Sequence, residues 1–256
     1  MAGIGTERTG AVGTLIIDNP ARRNAMTADM YSAVRAATDT LRADEAIRVV
    51  IVRGAGDEAF GAGSDISEFP SRRMGDQAEQ FDNAEHDAWD ALAEIPVPVI
   101  AAIHGPCMGG GIAMALHCDV RIAAEDAKFA VPPARLGLAY PQDALTRLVD
   151  LVGPAQAKLL LYTARVIDAQ EALAIGLVQE VVAKAELDDH VETLATQIAR
   201  LAPLTHRSTK LSIDSLTDAS LAPAAADSRR DCYASGDFRE GVQAFLDKRR
   251  PAFDGR

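Results

Sequence analysis

The chain alternates short runs of β-branched and aliphatic residues with longer stretches that carry a helical period. The runs VGTLIID, RVVIVRG and PVIAAIHG are separated by two helical patterns, one beginning at about Thr27 and one ending near Glu94. Two further runs, DVRIAAE and KFAV, are short and continuously apolar, as expected of strands that are covered on both faces. This alternation predicts an α/β fold.

The strand signal stops in the last quarter of the sequence. The segment VIDAQEALAIGLVQEVV predicts one more short helix, with Asp168 as its N-cap, Glu171 as the capping-box partner and Gly176 as its end, followed by a strand. From about Glu186 onward, helical periods are interrupted only by proline and glycine. We therefore expect a C-terminal helical region.

Composition restricts the class of protein. The 256 residues carry a net charge of −11, and an acidic surface repels nucleic-acid backbones, so nucleic acid is an unexpected partner. The three cysteines, Cys107, Cys118 and Cys232, form no C-x-x-C pair, which argues against a disulfide framework or a zinc knuckle. No window reaches the ~18 apolar residues of a membrane span, and no signal peptide is evident. These features predict a cytoplasmic protein with no membrane partner.

Two glycine-rich turns, FGAGSDI at 60–66 and HGPCMGGGIAMALHCD at 104–119, each follow an apolar strand. In the second, Gly109, Gly110 and Gly111 lead into the apolar run IAMAL, so their N–H groups should lie at a helix N-terminus, where negative charge is stabilised. A tight packing turn is the alternative for an isolated GGG. The dinucleotide-binding, P-loop and nucleophile-elbow motifs are all absent from this sequence.

A series of motifs extends from one end of the chain to the other: DNPARRNAM, FGAGSDISEF, PVIAAIHGPCMGGGIAMALHCDVRIAAEDAKFAVP, LGLAYP, TARVIDAQEALAIGLVQEVV and EGVQAFLDKRRPAF. Together they resemble the crotonase, or enoyl-CoA hydratase/isomerase, superfamily. The resemblance implies a ClpP/crotonase-like spiral of ββα units over residues 1–200 and a helical trimerisation region over residues 201–256. A homotrimer, or a hexamer made of two trimers, is the implied assembly.

The same resemblance implies a site for an acyl-coenzyme A thioester, with coenzyme A as part of the substrate and no prosthetic group or metal. The backbone amides of Ser64 and Gly110 would form an oxyanion hole for the thioester carbonyl. The implied coenzyme A contacts are Arg22, Arg23 and Ala25 near the phosphates, Ala62, Ser64, Asp65 and Ile66 near the adenine, and Phe245 and Lys248 reaching the coenzyme A of a neighbouring subunit.

Two positions depart from a hydratase. Hydration of an enoyl thioester needs an acid and a base, and the family supplies two glutamates. Ala113 and Pro133 occupy those positions here. The candidates that could replace them in catalysis are Tyr140 and Asp143. Tyr140 ends an L-G-x-x-Y run that resembles one in the methylmalonyl-CoA decarboxylases of the family, and Asp143 lies near a predicted helix start. A proton-relay reaction and decarboxylation therefore both remain open.

Other polar residues have a functional and a structural interpretation. Glu68 could face the pocket or be solvated, Glu85 and His86 belong to a segment that often forms a pocket wall, and His104 and His117 fit satisfied core histidines. Two further classes of protein are alternatives. The two missing glutamates favour a non-catalytic acyl-CoA binding protein. The acidic composition argues against an RNA-binding relative.

Overall fold

The computed structural model describes residues 2–256 and contains two sheets. The strands are β1 Gly3–Thr9, β2 Val12–Asp18, β3 Val49–Gly54, β4 Val99–Ile103, β5 Pro106–Met108, β6 Val120–Ala124, β7 Lys128–Ala130, β8 Ile167–Asp168 and β9 Glu180–Val182. The larger sheet has the order β1-β2-β3-β4-β6-β9 and the smaller sheet the order β5-β7-β8. Apart from the antiparallel pair β1–β2, every pairing in the larger sheet is parallel.

Helices follow the strands as the sequence predicts. They are α1 Ala28–Ala43, α2 Ala78–Ala93, α3 Gly110–Leu116, α4 Pro133–Leu136, α5 Gln142–Thr163, α6 Ala169–Ala174, α7 Leu187–Ala199, α8 Pro203–Asp214, α9 Ala222–Ala234 and α10 Gly236–Leu246. Thr27 caps α1 by accepting a hydrogen bond from the Met30 amide, and α2 ends beside Glu94. The α/β prediction is confirmed.

Successive units place one strand in each sheet. β4 joins the larger sheet and β5 the smaller one before α3 begins, and β6 and β7 repeat this arrangement before α4. The chain therefore advances as a spiral of strand–strand–helix units. The helix N-termini that follow the short strands lie beside the smaller sheet.

The apolar runs are continuous because both faces of the larger sheet are buried. In β3, Val50 and Val52 belong to the main core, whereas Val49 and Ile51 belong to a second core on the opposite face. Helix α7 covers that second core through its apolar residues, Leu187, Val191 and Ala195. The alternating side chains of one strand thus hold helices on two sides.

The last strand ends at Val182, and the region beyond α7 is helical, as the sequence predicts. Several large apolar side chains of α8–α10 and their connections are exposed in the single chain: Ile213, Leu216, Tyr233, Phe238, Val242, Phe245 and Leu246. Among residues 2–256, no helix combines the length and apolarity that a membrane crossing requires.

Asn24 holds together the loops that follow β2 and β3. It is buried, has a left-handed φ of 56°, and its side chain accepts a hydrogen bond from the Asn19 amide at 2.9 Å. Its amide nitrogen donates to the carbonyls of Ala55 and Ala59 at 3.1 and 2.7 Å. Asparagine tolerates this backbone conformation better than most residues.

We expect Asn24→Ala to lower the free energy of unfolding by about 2–4 kcal/mol. The substitution leaves buried backbone groups without hydrogen-bond partners and places alanine at positive φ. Urea denaturation measures the change. The exposed Asn83 of α2 provides the control, and Asn83→Ala should change the stability by no more than about 0.5 kcal/mol. Equal effects of the two substitutions would contradict the role of Asn24.

Candidate active site

The two glycine-rich turns lie side by side because a short parallel β-bridge joins them. Gly61 donates to the Pro106 carbonyl at 3.1 Å and accepts from the Met108 amide at 2.9 Å, forming a bridge with Cys107. A Cβ on Gly111 would collide with the Gly61 carbonyl, so glycine is required there for the close approach of the two segments.

The backbone orientation of Ser64 leaves its amide free to point away from the neighbouring loop. Met26 donates to the Gly63 carbonyl at 2.8 Å and accepts from the Asp65 amide at 2.7 Å, as in a parallel bridge centred on Met26 and Ser64. In such a bridge the N–H of Ser64 itself faces the opposite side. Ser64 also lines the cavity described below.

Gly110 is the first residue of α3, so its N–H has no acceptor within the helix. A Cβ placed on Gly110 would lie 3.4 Å from the Ser64 nitrogen, which shows how closely the two residues approach. Both residues line the same cavity. The structure therefore brings the two predicted amide donors together at one wall.

The cavity between the two turns has a volume of about 100 Å³. Its apolar lining includes Phe69, Trp89, Pro133, Leu136 and Leu138, and its polar side chains are those of Ser64, Arg73, Glu85 and Tyr140. Sites for drug-sized ligands typically occupy ~300–1,000 Å³. This cavity therefore has room for a small group only.

A hydrogen-bonded network of buried polar side chains includes Ser64. Ser64 Oγ donates to Glu85 Oε1 at 2.6 Å and lies 3.0 Å from Tyr31 Oη. The Arg73 guanidinium binds Glu85 through Nη1 at 3.2 Å and Nη2 at 2.8 Å. The ring faces of Phe69 and Phe81 lie against the same guanidinium.

Glu85 lies in the segment for which the sequence predicts a pocket wall, and the structure places it there. Its side chain is 3% exposed and lines the cavity. The available signal was its position, since it shares the apolar stripe of α2 with Phe81, Ala88 and Leu92. A carboxylate in such a stripe is seldom buried without a partner.

Burial changes the acidity of these groups. Desolvation raises the pKa of Glu85 above its ordinary value, although the Arg73 charge and the Ser64 hydrogen bond oppose the change. Burial, and next the negative charge of Glu85, raise the pKa of Tyr31. Burial likewise raises the pKa of Tyr140. Both phenols therefore remain protonated at neutral pH.

Tyr140 and Asp143 lie in different surroundings. The Tyr140 hydroxyl donates to the Gly109 carbonyl at 3.1 Å, so it is adjacent to the glycine triplet. Asp143 lies in the first turn of α5 but is not part of the cavity lining formed by the described residues. Its carboxylate lies 3.6 Å from His86 Nε2 and 3.8 Å from His117 Nε2.

The positions of the two missing glutamates remain without an acid or base. Ala113 is buried within α3, and Pro133 begins α4 and lines the cavity. Glu68 caps α1 by accepting a hydrogen bond from the Ala28 amide at 2.8 Å. The buried His104 contacts Asp188 at 3.1 Å, as a structural histidine would.

The two arginines at 22 and 23 have different roles in the loop. The Arg22 guanidinium binds the Asp65 carboxylate and Ser67 Oγ. Burial alone would raise the pKa of Asp65, but hydrogen bonds from Ser67 and the Arg22 charge together lower it. The Arg23 side chain is exposed, and its carbonyl accepts from the Ala62 amide at 3.0 Å.

The remaining coenzyme A candidates are spread over two regions. Ala25 is buried beside the first glycine turn, and Ile66 is largely exposed there. Phe245, at the end of α10, is 83% exposed, and Lys248 follows it with a φ of 55°. Neither of the last two lines the site cavity of the described chain.

A side chain at position 110 would collide with the Tyr31 hydroxyl, so glycine fits this position. We expect Gly110→Ala to cost about 1–3 kcal/mol of stability through overpacking. Adding Tyr31→Phe removes the obstructing oxygen, so the double variant should lose less stability than the sum of the two single variants, as measured by urea denaturation. Gly3→Ala, which meets open space, is the control. Additive effects would contradict the steric account.

The chain matches known proteins along almost its whole length. A family model described as Enoyl-CoA hydratase/isomerase matches residues 7–256. A crotonyl-CoA hydratase from Syntrophomonas wolfei is 37% identical over 250 residues, 96% of each protein, and a short-chain-enoyl-CoA hydratase from Clostridium acetobutylicum is 32% identical over 247 residues, 95% of this chain and 94% of that protein.

Solved structures agree with the sequence relatives. The crystal structure of an enoyl-CoA hydratase/carnithine racemase from Magnetospirillum magneticum superimposes with a TM-score of 0.95 at 38% identity, covering 100% of this chain and 97% of the other. An enoyl-CoA hydratase from Bacillus anthracis gives a TM-score of 0.91 at 30% identity, with coverage of 99% and 100%. The predicted crotonase fold is confirmed, and the chain belongs to the enoyl-CoA hydratase/isomerase family.

Proposed function

We propose that this enzyme binds a short acyl-CoA thioester and stabilises its enolate with the backbone amides of Ser64 and Gly110. The observation that carries the proposal is the pair of amides at one wall of a small cavity, each without a partner in its own backbone element. Two fixed donors in a dry site stabilise a developing oxyanion by several kcal/mol.

The coenzyme A portion would lie along the first glycine turn. Arg23 presents an exposed guanidinium for a phosphate, whereas Arg22 is engaged by Asp65 and therefore holds the turn in position. The backbone of Ala62–Ile66 would contact the adenine, and the buried Ala25 would support that backbone segment.

The proposed reaction is hydratase-like or isomerase-like chemistry on an enoyl thioester. The relatives named as crotonyl-CoA and short-chain-enoyl-CoA hydratases support a short enoyl group, and so does the volume of about 100 Å³. The sequence predicts Tyr140 or Asp143 as the proton-transfer group, and of these Tyr140 lines the cavity.

Decarboxylation is the second candidate. It makes an enolate by losing carbon dioxide, so it needs the oxyanion hole but no base. Ala113 and Pro133 in place of glutamates, together with the Tyr140 hydroxyl beside Gly109, favour it.

We propose that residues 201–256 join the ββα core of residues 1–200 to neighbouring subunits in a homotrimer or a hexamer. The exposed apolar side chains of α8–α10 support this proposal, because large exposed apolar patches mark association sites. Phe245 and Lys248 would then approach the coenzyme A of the next subunit.

A panel of crotonyl-, 3-hexenoyl-, 2-decenoyl- and methylmalonyl-CoA tests the reaction. We expect turnover of the short enoyl thioesters, at rates below the ~10³ s⁻¹ of fast enzymes because both family glutamates are missing. The ten-carbon substrate should give a lower kcat/KM, since its chain exceeds the cavity. Loss of conjugation, formation of conjugation and release of carbon dioxide are measured separately.

Two variants show which group takes part. Tyr140→Phe should slow turnover more than Asp143→Asn, because only the first of these side chains lines the cavity. Release of carbon dioxide that Tyr140→Phe suppresses would support decarboxylation instead. Binding of every thioester without turnover of any would identify a non-catalytic binding protein and contradict the proposed enzyme.

A further inference from the structure

The cavity lining contains one carboxyl group among the described residues, that of Glu85. It comes from α2, a different element from the two that carry Ala113 and Pro133 at the positions of the missing glutamates. A single hydrogen bond of 2.6 Å to Ser64 Oγ connects this carboxyl to one of the two residues whose amides face the cavity.

The hydrogen bonds of Glu85 leave one oxygen with spare capacity. Each carboxylate oxygen has two lone-pair sites. Oε1 uses both, since it accepts from Ser64 Oγ and from Arg73 Nη1. Oε2 accepts from Arg73 Nη2 alone, which leaves one site for a proton.

The surroundings of Glu85 are also suited to hold it in one position. Arg73 donates hydrogen bonds to both oxygens, and the Asp82 carboxylate on the preceding turn of α2 contacts the same guanidinium at 3.2 Å. Tyr31 supplies a hydrogen bond to Ser64 from α1, and Tyr140 lines the same cavity. A fixed carboxyl group beside two amide donors is an arrangement suited to general acid–base catalysis.

The geometry points to Glu85 as the catalytic acid–base group of this site, with Ser64 Oγ and Arg73 as positioning residues. The inference rests on the proposed function, because it assumes that a thioester carbonyl lies at the Ser64 and Gly110 amides.

One carboxyl group can carry out both halves of the proposed proton transfer. Glu85 Oε2 takes a proton from C2 of the acyl group, the C2–H bond breaks, and its electron pair moves to the carbonyl oxygen, which the two amides stabilise as an enolate. The same oxygen then returns a proton to carbon, at C2 or, in a 3-enoyl thioester, at C4. One carboxyl group is therefore sufficient for exchange at C2 or for a double-bond shift.

Exchange of the C2 protons of butyryl-CoA in D₂O, followed by NMR, isolates this step from any later chemistry. We expect the unmodified protein to catalyse exchange, and Glu85→Gln to slow it by about 100-fold or more at saturating butyryl-CoA. The Kd for butyryl-CoA, measured by calorimetry, should change by less than about threefold. Glu79→Gln is the matched control, since it makes the same change at an exposed glutamate of α2 that does not line the cavity, and it should leave exchange within about twofold.

The pH profile of the unmodified protein is a second readout that does not require a folded variant. Because burial raises the pKa of Glu85, its carboxylate form is lost at a higher pH than that of an ordinary glutamate. The groups facing it are Arg73, Asp82, Tyr31 and Tyr140. Exchange should rise with pH through this raised value and then level off, and the Gln variant should lack that rise.

The outcomes separate the two proposals. Failure of the unmodified protein to bind butyryl-CoA would overturn the proposed function and this inference with it. Binding without exchange, exchange that Glu85→Gln leaves intact, or a loss caused only by weaker binding would overturn the role of Glu85 alone. Slower exchange at unchanged Kd, with the Glu79 control active, supports it.

Discussion

The parallel bridge between Gly61 and Cys107 is the contact on which the site depends. It consists of two backbone hydrogen bonds, and it fixes the start of the first glycine turn to β5, the strand that leads to the Gly109–Gly111 triplet. The absence of a side chain at Gly111 permits this approach. If the two segments moved apart by the width of one methyl group, the amides of Ser64 and Gly110 could not both donate to one oxygen as proposed, because hydrogen bonds weaken steeply with such misalignment.

The site also places ionisable groups where desolvation is costly. Glu85 and Arg73 form a largely buried pair, and removing one partner of such a pair generally destabilises a protein more than the intact pair stabilises it. The Ser64 hydroxyl donates to Glu85 and lies within hydrogen-bond distance of the Tyr31 hydroxyl, which connects the pair to the first glycine turn. A buried polar network of this kind is compatible with folding because its members are hydrogen-bonded, and it restricts the positions that each member can take.

Sequence reasoning succeeded where the signal is local. The β-branched runs predict covered strands, Thr27 and Asp168 predict helix starts, and both caps are present. The predicted capping box is incomplete, because the Glu171 carboxylate binds Arg165 instead of returning to the helix start. The sequence could not separate Arg22 from Arg23, since the ion pair to Asp65 joins residues 43 positions apart. The sequence could not predict the hydrogen bonds of Glu85 for the same reason, because its partners Ser64 and Arg73 come from other elements.

In the proposed site, two main-chain amides polarise the thioester carbonyl. Infrared difference spectroscopy of bound butyryl-CoA carrying ¹³C at that carbonyl measures this polarisation directly. Two convergent N–H donors should move the carbonyl stretch to lower frequency than in free butyryl-CoA, with a narrower band because the oxygen is held in one environment. A band at the solution frequency, in a complex shown by calorimetry to be saturated, would contradict the account.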